Sequence, residues 1–431
     1  MRTRFVAALA TVAGVVSLAG LSHGQISFTQ IPQLSGGTQG NIANAISADG
    51  RYVVGESDST ATPGVALEDG YRFDRTTLAL VSMSSLNAAN FSTHAASVSG
   101  DGSTVVGFSR QLVGATNLQR AYSWTSGGGI VGVGVFSGTG TSFAYGISAS
   151  GATVVGSTTT SGSAVGQSYY RTGGVMTLIP VLAGGGASSA RAANQDGTVV
   201  VGDSGSRPYR FFGGATSAIS AVAGAADGFG EALAVNADGS VAVGAITSPT
   251  FVDTSFGFSI SQGVAFRWRA GVTRALGGLP STGSQASEAF GISGNGLLVV
   301  GESRTSGTVS TGGIMEAFVW TPRWGLARLA DKLGAAVPAG LRLDRGTSVS
   351  ANGAVIAGNG TVLATGKQFA FVATLPYCVG DQNDNGTLEV QDIFDFLGLW
   401  FAGSPQADAN GNGSLEVQDI FDFLGAWFGG C

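Results

Sequence analysis

A short pattern that recurs seven times constrains this chain more than any other feature. Each copy has a few apolar residues, a turn that ends in glycine, and a β-branched run that ends in a second glycine, as in Ala45–Gly55. The turn glycines lie 52, 49, 46, 42, 57 and 57 residues apart. Units of this size cannot bury a hydrophobic face alone, so they must stack on one another. The turn glycines are Gly50, Gly102, Gly151, Gly197, Gly239, Gly296 and Gly353.

Each copy predicts a β-hairpin. Asp-Gly or Asn-Gly would supply the positive φ angles of a two-residue type I′ turn, and the second glycine predicts a bulge or a close backbone approach. An aromatic third strand follows, such as Ala121–Trp124, and a fourth strand often ends in leucine, such as Leu326–Leu329. The 71 glycines therefore mark repeated turns, while 44% hydrophobic residues supply a core. Four strands in about 50 residues are typical of a propeller blade.

The two ends of the repeat array predict a closed ring. The seventh unit stops after its third strand, Phe369–Thr374, and a candidate for the missing fourth strand is Phe28–Leu34 near the start of the chain. Pairing these two segments would hide two sheet edges. We therefore predict an all-β, seven-bladed β-propeller, with an open β-solenoid as the competing architecture.

The repeats resemble the HAF-type extracellular repeat family over roughly residues 40–375. The Ala-Phe part of that family's His-Ala-Phe tripeptide is present, and so is its Ser-x-Asp-Gly turn. The histidine is replaced by Arg120, Val264, Glu316 and Phe369. The resemblance implies an exported, surface-associated protein with no defined catalytic activity.

Few residues of the repeats suit catalysis. His94 is the one histidine after residue 24, so a Ser-His-Asp triad would have to use it. No pair of carboxylates stands apart from the repeat pattern, as a glycosidase would require. We expect a structural or solvated role for His94 and a core role for most aromatic residues, although some could line a sugar-binding face.

The most specific motif is a pair of near-copies, 27 residues apart, within residues 378–431. Each copy begins like an EF-hand loop, which presents oxygens from positions 1, 3, 5, 7, 9 and 12 around a glycine at position 6. Gly386 and Gly413 occupy that sixth position. The loops predict two bound Ca²⁺ ions. Their predicted ligands are Asp381, Asn383, Asn385, the Thr387 carbonyl, Glu389 and Asp392, then Asp408, Asn410, Asn412, the Ser414 carbonyl, Glu416 and Asp419.

A helix is predicted after each loop and no good helix before it, and the twelfth ligand is Asp rather than Glu. This arrangement, a calcium loop followed by one helix, resembles the type I dockerin domain over residues 378–431, in a variant that ends in Gly-Cys. The resemblance implies docking onto a cohesin-like protein, in two orientations because the halves are nearly identical. Many dockerins are attached to secreted polysaccharide-degrading enzymes. The residues after the ninth ligand lack the Ser-Thr type pair of well-known cellulosomal dockerins.

One apolar stripe on each predicted helix is expected to form the core between two antiparallel helices. The stripes are Val390, Ile393, Phe394, Leu397 and Phe401, then Val417, Ile420, Phe421, Leu424 and Phe428. Phe396 and Phe423 lie off these stripes and could be an exposed contact surface or further core. The predicted partner surface comprises Val390, Gln391, Phe396, Val417, Gln418 and Phe423.

Cys378 and Cys431 bracket the same segment. An exported chain with no other cysteine predicts a disulfide between them. In the chain-entropy model this link would stabilise the fold by about 4 kcal/mol. A free or modified terminal thiol is the alternative.

Residues 1–24 predict a secretory signal peptide. Arg2 and Arg4 precede the apolar run Phe5–Gly20, and small residues precede the expected cleavage site. An uncleaved anchor is the alternative, and no other stretch is long enough to cross a membrane. Residues 25–377 carry a net charge of +1 and no basic patch, which argues against a nucleic-acid partner, whereas residues 378–431 carry nine acids and no Lys or Arg.

These features predict a signal peptide (1–24), a repeat domain (25–376) and a dockerin-like calcium-binding domain (377–431). We predict a secreted or cell-surface, non-enzymatic scaffold. Its C-terminal module would attach it, in a calcium-dependent way, to a cohesin-like partner or surface assembly, and polysaccharide is a further candidate ligand. The alternative is a dockerin-bearing carbohydrate-active enzyme that acts in polysaccharide breakdown.

Overall fold

The structure is a computed structural model. It describes residues 25–430 except 60–67, 84–85, 87–91, 114–115, 137–139, 160–164, 226–227, 254–259, 282–285 and 307–312. The predicted signal peptide and Cys431 lie outside the described residues. Within the described residues the chain is mostly β-strand and has three short α-helices.

The described strands follow one another in groups that match the sequence repeats. The first is β1 (Ser27–Gln30), and the next four groups are β2 (Asn41–Ile46), β3 (Tyr52–Asp58), β4 (Glu68–Asp74), β5 (Ala79–Ser82), β6 (Thr93–Val98), β7 (Thr104–Val113), β8 (Thr116–Thr125), β9 (Gly129–Gly132), β10 (Ser142–Ile147), β11 (Thr153–Thr159), β12 (Gly166–Thr172), β13 (Val175–Leu178), β14 (Ser188–Ala193), β15 (Val199–Ser204), β16 (Arg207–Phe212) and β17 (Ala215–Ala218). The remaining strands are β18 (Gly230–Val235), β19 (Val241–Asp253), β20 (Ile260–Arg269), β21 (Val272–Gly277), β22 (Ser287–Ile292), β23 (Val299–Arg304), β24 (Met315–Thr321), β25 (Gly325–Arg328), β26 (Leu341–Val349), β27 (Val355–Val362) and β28 (Gln368–Thr374).

The strands form seven four-stranded antiparallel sheets, and these are the blades of a β-propeller. Six blades use four consecutive strands, from β2–β5 to β22–β25. The seventh has the order β1-β28-β27-β26, because β1 pairs with β28 and sets Ser27 opposite Thr374. The N-terminal strand therefore closes the ring, which confirms the predicted seven-bladed propeller.

The hairpin turns differ from the predicted type I′ geometry. In the first turn the Gly50 N–H donates to the Ser47 carbonyl at 2.9 Å, and Gly50 has a φ of 74°, whereas Asp49 has no positive φ. The Asp49 carboxylate instead accepts from the Arg51 N–H at 2.9 Å. The turn is therefore of type I followed by a left-handed glycine. Aspartate stabilises it through its side chain rather than through its own backbone conformation.

Backbone hydrogen bonds join neighbouring turns into a closed circle that we call the turn ring. The Gly100 N–H donates to the Ala149 carbonyl at 2.8 Å, and the Ala351 N–H donates to the Ala48 carbonyl at 2.9 Å across the closing junction. Equivalent bonds join the other blade pairs. The turn ring consists of Ala48, Gly100, Ala149, Gln195, Ala237, Gly294 and Ala351. Because most of these residues are small, the blades come together at this end of the central channel.

The strand that lines the channel in each blade contains a β-bulge opposite the second glycine of the repeat. In blade 3 the register shifts between Ala144 and Gly146, which leaves Tyr145 unpaired. A Cβ on Gly156 would lie 1.9 Å from the Phe143 carbonyl oxygen, so this glycine permits a close backbone approach, as predicted. The seven bulged residues, which we call the bulge ring, are Asn44, Ala96, Tyr145, Arg191, Leu233, Phe290 and Thr347.

The third-strand aromatic residues form the core between blades, as expected. One from each blade is at most 1% exposed: Tyr71, Tyr122, Tyr169, Tyr209, Phe266, Phe318 and Phe371. The Tyr169 hydroxyl also donates to the Phe143 carbonyl at 3.0 Å. The Tyr169 side chain thus packs between blades and also binds the Phe143 carbonyl, which faces Gly156.

Three helices complete the described structure: α1 (Leu329–Leu333), α2 (Val390–Phe401) and α3 (Val417–Gly429). α1 packs into the core next to blade 7. α2 and α3 each begin with a capping box, which pairs Glu389 with Asp392 and Glu416 with Asp419. Among the described helices, none has the length and apolar character needed to cross a membrane.

Candidate functional site

The first predicted calcium loop is folded around its own first and last acidic residues. The two Asp381 carboxylate oxygens accept from the N–H groups of Asn385 at 3.2 Å and Gly386 at 2.8 Å. The Asp392 carboxylate accepts from the Gln382 N–H at 3.0 Å and from the Glu389 N–H at 2.9 Å. The loop therefore closes on itself, because its own backbone N–H groups donate to the carboxylates at positions 1 and 12.

The second loop repeats most of this arrangement, and the Asn410 N–H donates to Asp419 as that of its counterpart Asn383 donates to Asp392. Asp408 accepts from the N–H groups of Asn412 at 3.0 Å and Gly413 at 2.6 Å. Asp419 accepts from the Asn410 N–H at 3.4 Å and from the Glu416 N–H at 2.9 Å. Gly386 and Gly413 have φ angles of 83° and 81°, so position 6 needs glycine in both loops.

The remaining predicted ligands lie in the same loops and form matching contacts. The Asn385 side-chain oxygen accepts from the Thr387 N–H at 2.8 Å, and the Asn412 oxygen accepts from the Ser414 N–H at 2.7 Å. Glu389 and Glu416 accept from the amides of Asn385 at 2.8 Å and Asn412 at 2.6 Å. Asn383 and Asn410 each accept from the N–H two residues ahead, at 3.0 and 2.9 Å.

The donor set fits Ca²⁺, which prefers carboxylate, amide and carbonyl oxygens. Asp392 and Asp419 are 0% exposed, and burial raises the pKa of the Asp381 and Asp419 carboxyls. A buried carboxylate is stabilised when a cation is close to it. Among the described residues no three His, Cys, Asp or Glu side chains are grouped to hold a metal.

The predicted buried and exposed faces of the two helices are wrong in two respects. Phe396 and Phe423, which were assigned to the partner surface, are 1% and 0% exposed, and their rings stack with centroids 4.1 Å apart. They lie one helical turn after the buried acids Asp392 and Asp419, so they share the inward face of their helices. The two rings form the centre of the C-terminal core.

The outward face of the two helices carries two matching apolar stripes, which we call the twin stripes. Phe394 and Phe421 are each 63% exposed, and Val390, Phe401, Val417 and Phe428 are 54–78% exposed, so the prediction that these six residues belong to the core is wrong. Gln391 and Gln418 lie beside the stripes and are exposed. The twin stripes consist of Val390, Phe394 and Phe401 on α2 and of Val417, Phe421 and Phe428 on α3. Large exposed apolar patches of this kind mark interaction surfaces.

Basic residues of the propeller contact both loops. The Arg267 guanidinium donates to the Gly411 carbonyl at 2.6 Å, and Arg269 donates to the Asn410 carbonyl at 2.6 Å. Burial lowers the pKa of Arg267 to about 10. Arg323 donates to the Asp381 carbonyl and pairs with the Asp384 carboxylate. No sequence pattern predicts these contacts, because the arginines lie far from the loops along the chain.

Cys378 and His94 have structural surroundings. Cys378 is 3% exposed and disulfide-bonded; its expected partner Cys431 lies outside the described residues. His94 lies in the channel wall, where its Nδ1 is 2.9 Å from a Glu56 carboxylate oxygen and its ring stacks on Phe108 with centroids 4.5 Å apart. These contacts agree with a structural role for His94.

No protein-family model and no curated protein matches this chain. Solved structures with a similar fold include TolB from Acinetobacter baumannii (TM-score 0.39, 14% identity, covering 64% of this chain and 62% of that chain). Others are oligogalacturonate lyase from Vibrio parahaemolyticus (0.48, 12%, 83% and 96%) and an acylaminoacyl peptidase from Pyrococcus horikoshii (0.41, 13%, 66% and 44%). The chain thus spans less than two thirds of the TolB chain. At these identities the likeness concerns the fold alone.

Proposed function

We propose that this chain is a secreted, non-enzymatic scaffold whose propeller is a binding or adhesion domain. Its C-terminal segment binds two Ca²⁺ ions and docks onto a cohesin-like partner of a surface assembly. The observation that carries the proposal is the duplication of one loop and one helix, with the same internal contacts in both copies. A helix pair that only covered the propeller would not need two copies of the ligand set, whereas a module with two equivalent docking halves would.

Each loop would hold its ion with the six residues predicted from sequence. Asp381, Asp392, Asp408 and Asp419 are at most 8% exposed, so their charges have little access to water. Bound Ca²⁺ would offset that charge and would fix the start of the helix that follows each loop. It would thereby orient the outward faces of the two helices.

The twin stripes provide the contact surface of the proposed module. Each helix exposes an apolar stripe with two phenylalanines, at 63% and 76–78% exposure. Gln391 and Gln418 flank the two stripes as hydrogen-bonding groups. Apolar centres with polar rims are typical of protein–protein interfaces. The two stripes have the same residue types, so a partner could engage either half first.

Calorimetry of the purified chain with Ca²⁺ tests the metal part. We expect about two ions per chain, because two loops carry complete ligand sets. Asp381→Ala should reduce the number to about one, and Asp381→Ala with Asp408→Ala should abolish binding. Asp395→Ala is the matched control, since this acid lies on α2 outside the loop and should leave two ions bound. Unchanged stoichiometry in the double variant would contradict the assignment.

Binding to purified cohesin modules, with and without a calcium chelator, tests the docking part. We expect binding only with Ca²⁺ and its loss on Phe394→Asp with Phe421→Asp, which places charge at the centre of both stripes. Phe212→Asp, which changes an exposed aromatic residue of the propeller, is the control. Calcium-saturated protein that binds no cohesin would exclude this partner class. Release of reducing ends from a polysaccharide panel by the intact chain would contradict the non-enzymatic assignment.

A further inference from the structure

The central channel of the propeller contains a cavity of about 630 Å³. This volume lies within the range of pockets that hold small molecules, roughly 300–1,000 Å³. The turn ring forms one end of the cavity, and its backbone groups are already paired with each other. A ligand would therefore enter from the opposite end.

The wall next to the turn ring is apolar. Each channel strand ends in an aliphatic residue that lines the cavity, among them Ile46, Val98, Ile147 and Ile292. The polar side chains of this inner half of the cavity are those of Asn194, Gln195 and Asn236, and both asparagines are already hydrogen-bonded to backbone groups. The inner half suits an apolar group rather than a polar one.

The bulge ring forms the next layer, and its seven residues are seven different types. The flanking scaffold is far more uniform: the residue before the bulge is alanine in six blades and glycine in the seventh. The repeats share a backbone but differ at the bulge position, which faces the cavity. This layer of the wall is therefore asymmetric. Tyr145, Leu233 and Phe290 supply its apolar parts.

Charged side chains surround the entrance, and the bases among them are paired. Arg191 lies 2.9 Å from a carboxylate oxygen of Glu231, and Arg345 lies 2.6 Å from one of Glu302. With both guanidinium groups paired to acids, an anionic ligand would have to displace a carboxylate. Glu56 lines the cavity beside these arginines, and Asp203, Glu231 and Glu302 contact them, so among the described residues four acids surround two arginines here.

One carboxylate of this group has no base of its own. Glu288 lies on β22 two residues before the bulged Phe290, the position that His94 occupies on β6 and Arg345 on β26, and both of those residues line the cavity. Within the described residues, its carboxylate has no ion pair or side-chain hydrogen bond in the structure. Burial and the neighbouring charges of Glu231 and Glu302 raise the pKa of Glu288 to about 7, against the opposing effect of Arg345 and Arg191.

We propose that the channel cavity binds a small amphiphilic amine, with its apolar body against the aliphatic wall and its protonated amine on the Glu288 carboxylate. The aliphatic wall selects the body, and the excess of acid around the entrance selects a cation over an anion. Tyr145 and Phe290 offer ring surface between these two regions. This site is separate from the calcium loops and does not depend on the proposed docking function.

Calorimetry of the full chain at pH 8 with n-hexylammonium tests the proposal, with hexanol and hexanoate as matched ligands. We expect hexylammonium to bind at least tenfold more tightly than either, because only it pairs with Glu288. Leucyl-leucinamide and its N-acetyl form are a second arm: preferential binding of the free peptide amine over hexylammonium would identify a peptide N-terminus as the source of the amine.

Two variants and one control complete the experiment. Glu288→Gln should weaken hexylammonium binding at least tenfold, while Asp331→Asn, which changes an exposed acid on α1, should not alter it. Leu233→Trp should weaken binding by narrowing the cavity where the ligand's apolar body lies, and each variant's thermal midpoint checks its folding. The proposal is overturned if hexanol or hexanoate binds as well as the amine, if neither amine binds, or if the folded Glu288→Gln or Leu233→Trp variant binds as the parent does.

Discussion

Replacing Gly156 with alanine should strain the third blade at the point where its channel strand bulges. Gly156 has no positive φ, so an alanine could adopt its backbone conformation. The difficulty is space: the new Cβ would lie 1.9 Å from the Phe143 carbonyl oxygen and 2.9 Å from the carbonyl carbon. Both are backbone atoms, so no side-chain rotation can relieve the clash.

The magnitude follows from what must move. The carbonyl oxygen would have to retreat by about 1.5 Å to reach an ordinary contact, and overpacking of this kind costs about 1–3 kcal/mol. That movement would also weaken the 3.0 Å hydrogen bond from the Tyr169 hydroxyl, worth about 1 kcal/mol. We expect a total loss of about 3 kcal/mol and a fall of the thermal midpoint by about 5 °C or more.

Differential scanning calorimetry of Gly156→Ala and Gly127→Ala provides the comparison. Gly127 lies in the turn between β8 and β9 and has no positive φ, and a Cβ added to it would have no atom within 4 Å. Its variant should unfold within about 0.5 kcal/mol of the parent. Equal midpoints for the two variants would refute the argument that the carbonyl approach requires glycine.

Three further perturbations follow from the described contacts. Phe423→Ala should destabilise the C-terminal helices by about 3–5 kcal/mol, because its ring stacks on Phe396, whereas exposed Phe421→Ala should change little; denaturation followed by helical circular dichroism measures both. Arg323→Ala should speed proteolysis between the propeller and the first loop, by removing contacts to that loop; an unchanged cleavage rate would argue against the contact. Burial raises the pKa of Glu288 in the folded protein to about 7. The protonated carboxyl therefore favours folding below about pH 4.5, and this contribution is lost as the pH rises to 7. Over that range the parent should lose about 2–3 kcal/mol of stability relative to Glu288→Gln.

The propeller could be predicted because its signals are local and repeated. The turn glycines, the β-branched runs and the aromatic third strands recur in each unit, and Phe28 near the start supplied the missing strand. The turn type was wrong because Asp-Gly suits several turns. The hydrogen bond from Gly50 to Ser47 and the absence of a positive φ at Asp49 together distinguish a type I turn with a following glycine.

The helix faces were harder to predict because both sides of each helix are apolar. Periodicity alone ranked Phe394 with the core, yet Phe396 is the buried residue. A usable signal was present: Phe396 follows Asp392 by one helical turn, and a twelfth loop ligand must face inward. The bulge ring also had a signal, since the position after Ala144 and its equivalents varies among otherwise similar repeats.

The pairing of β1 with β28 imposes an order of events on folding. The Ser27 hydroxyl donates to the Thr374 hydroxyl at 3.0 Å, across 347 residues of chain. Until Thr374 has been synthesised, the propeller is an open arc with two unpaired strand edges, which are prone to wrong pairing. Closure is thus a late and non-local event, and such contacts form slowly. Loss of even the few residues of β1 would leave β28 as a permanent open edge, and the ring would gain a site for joining other chains.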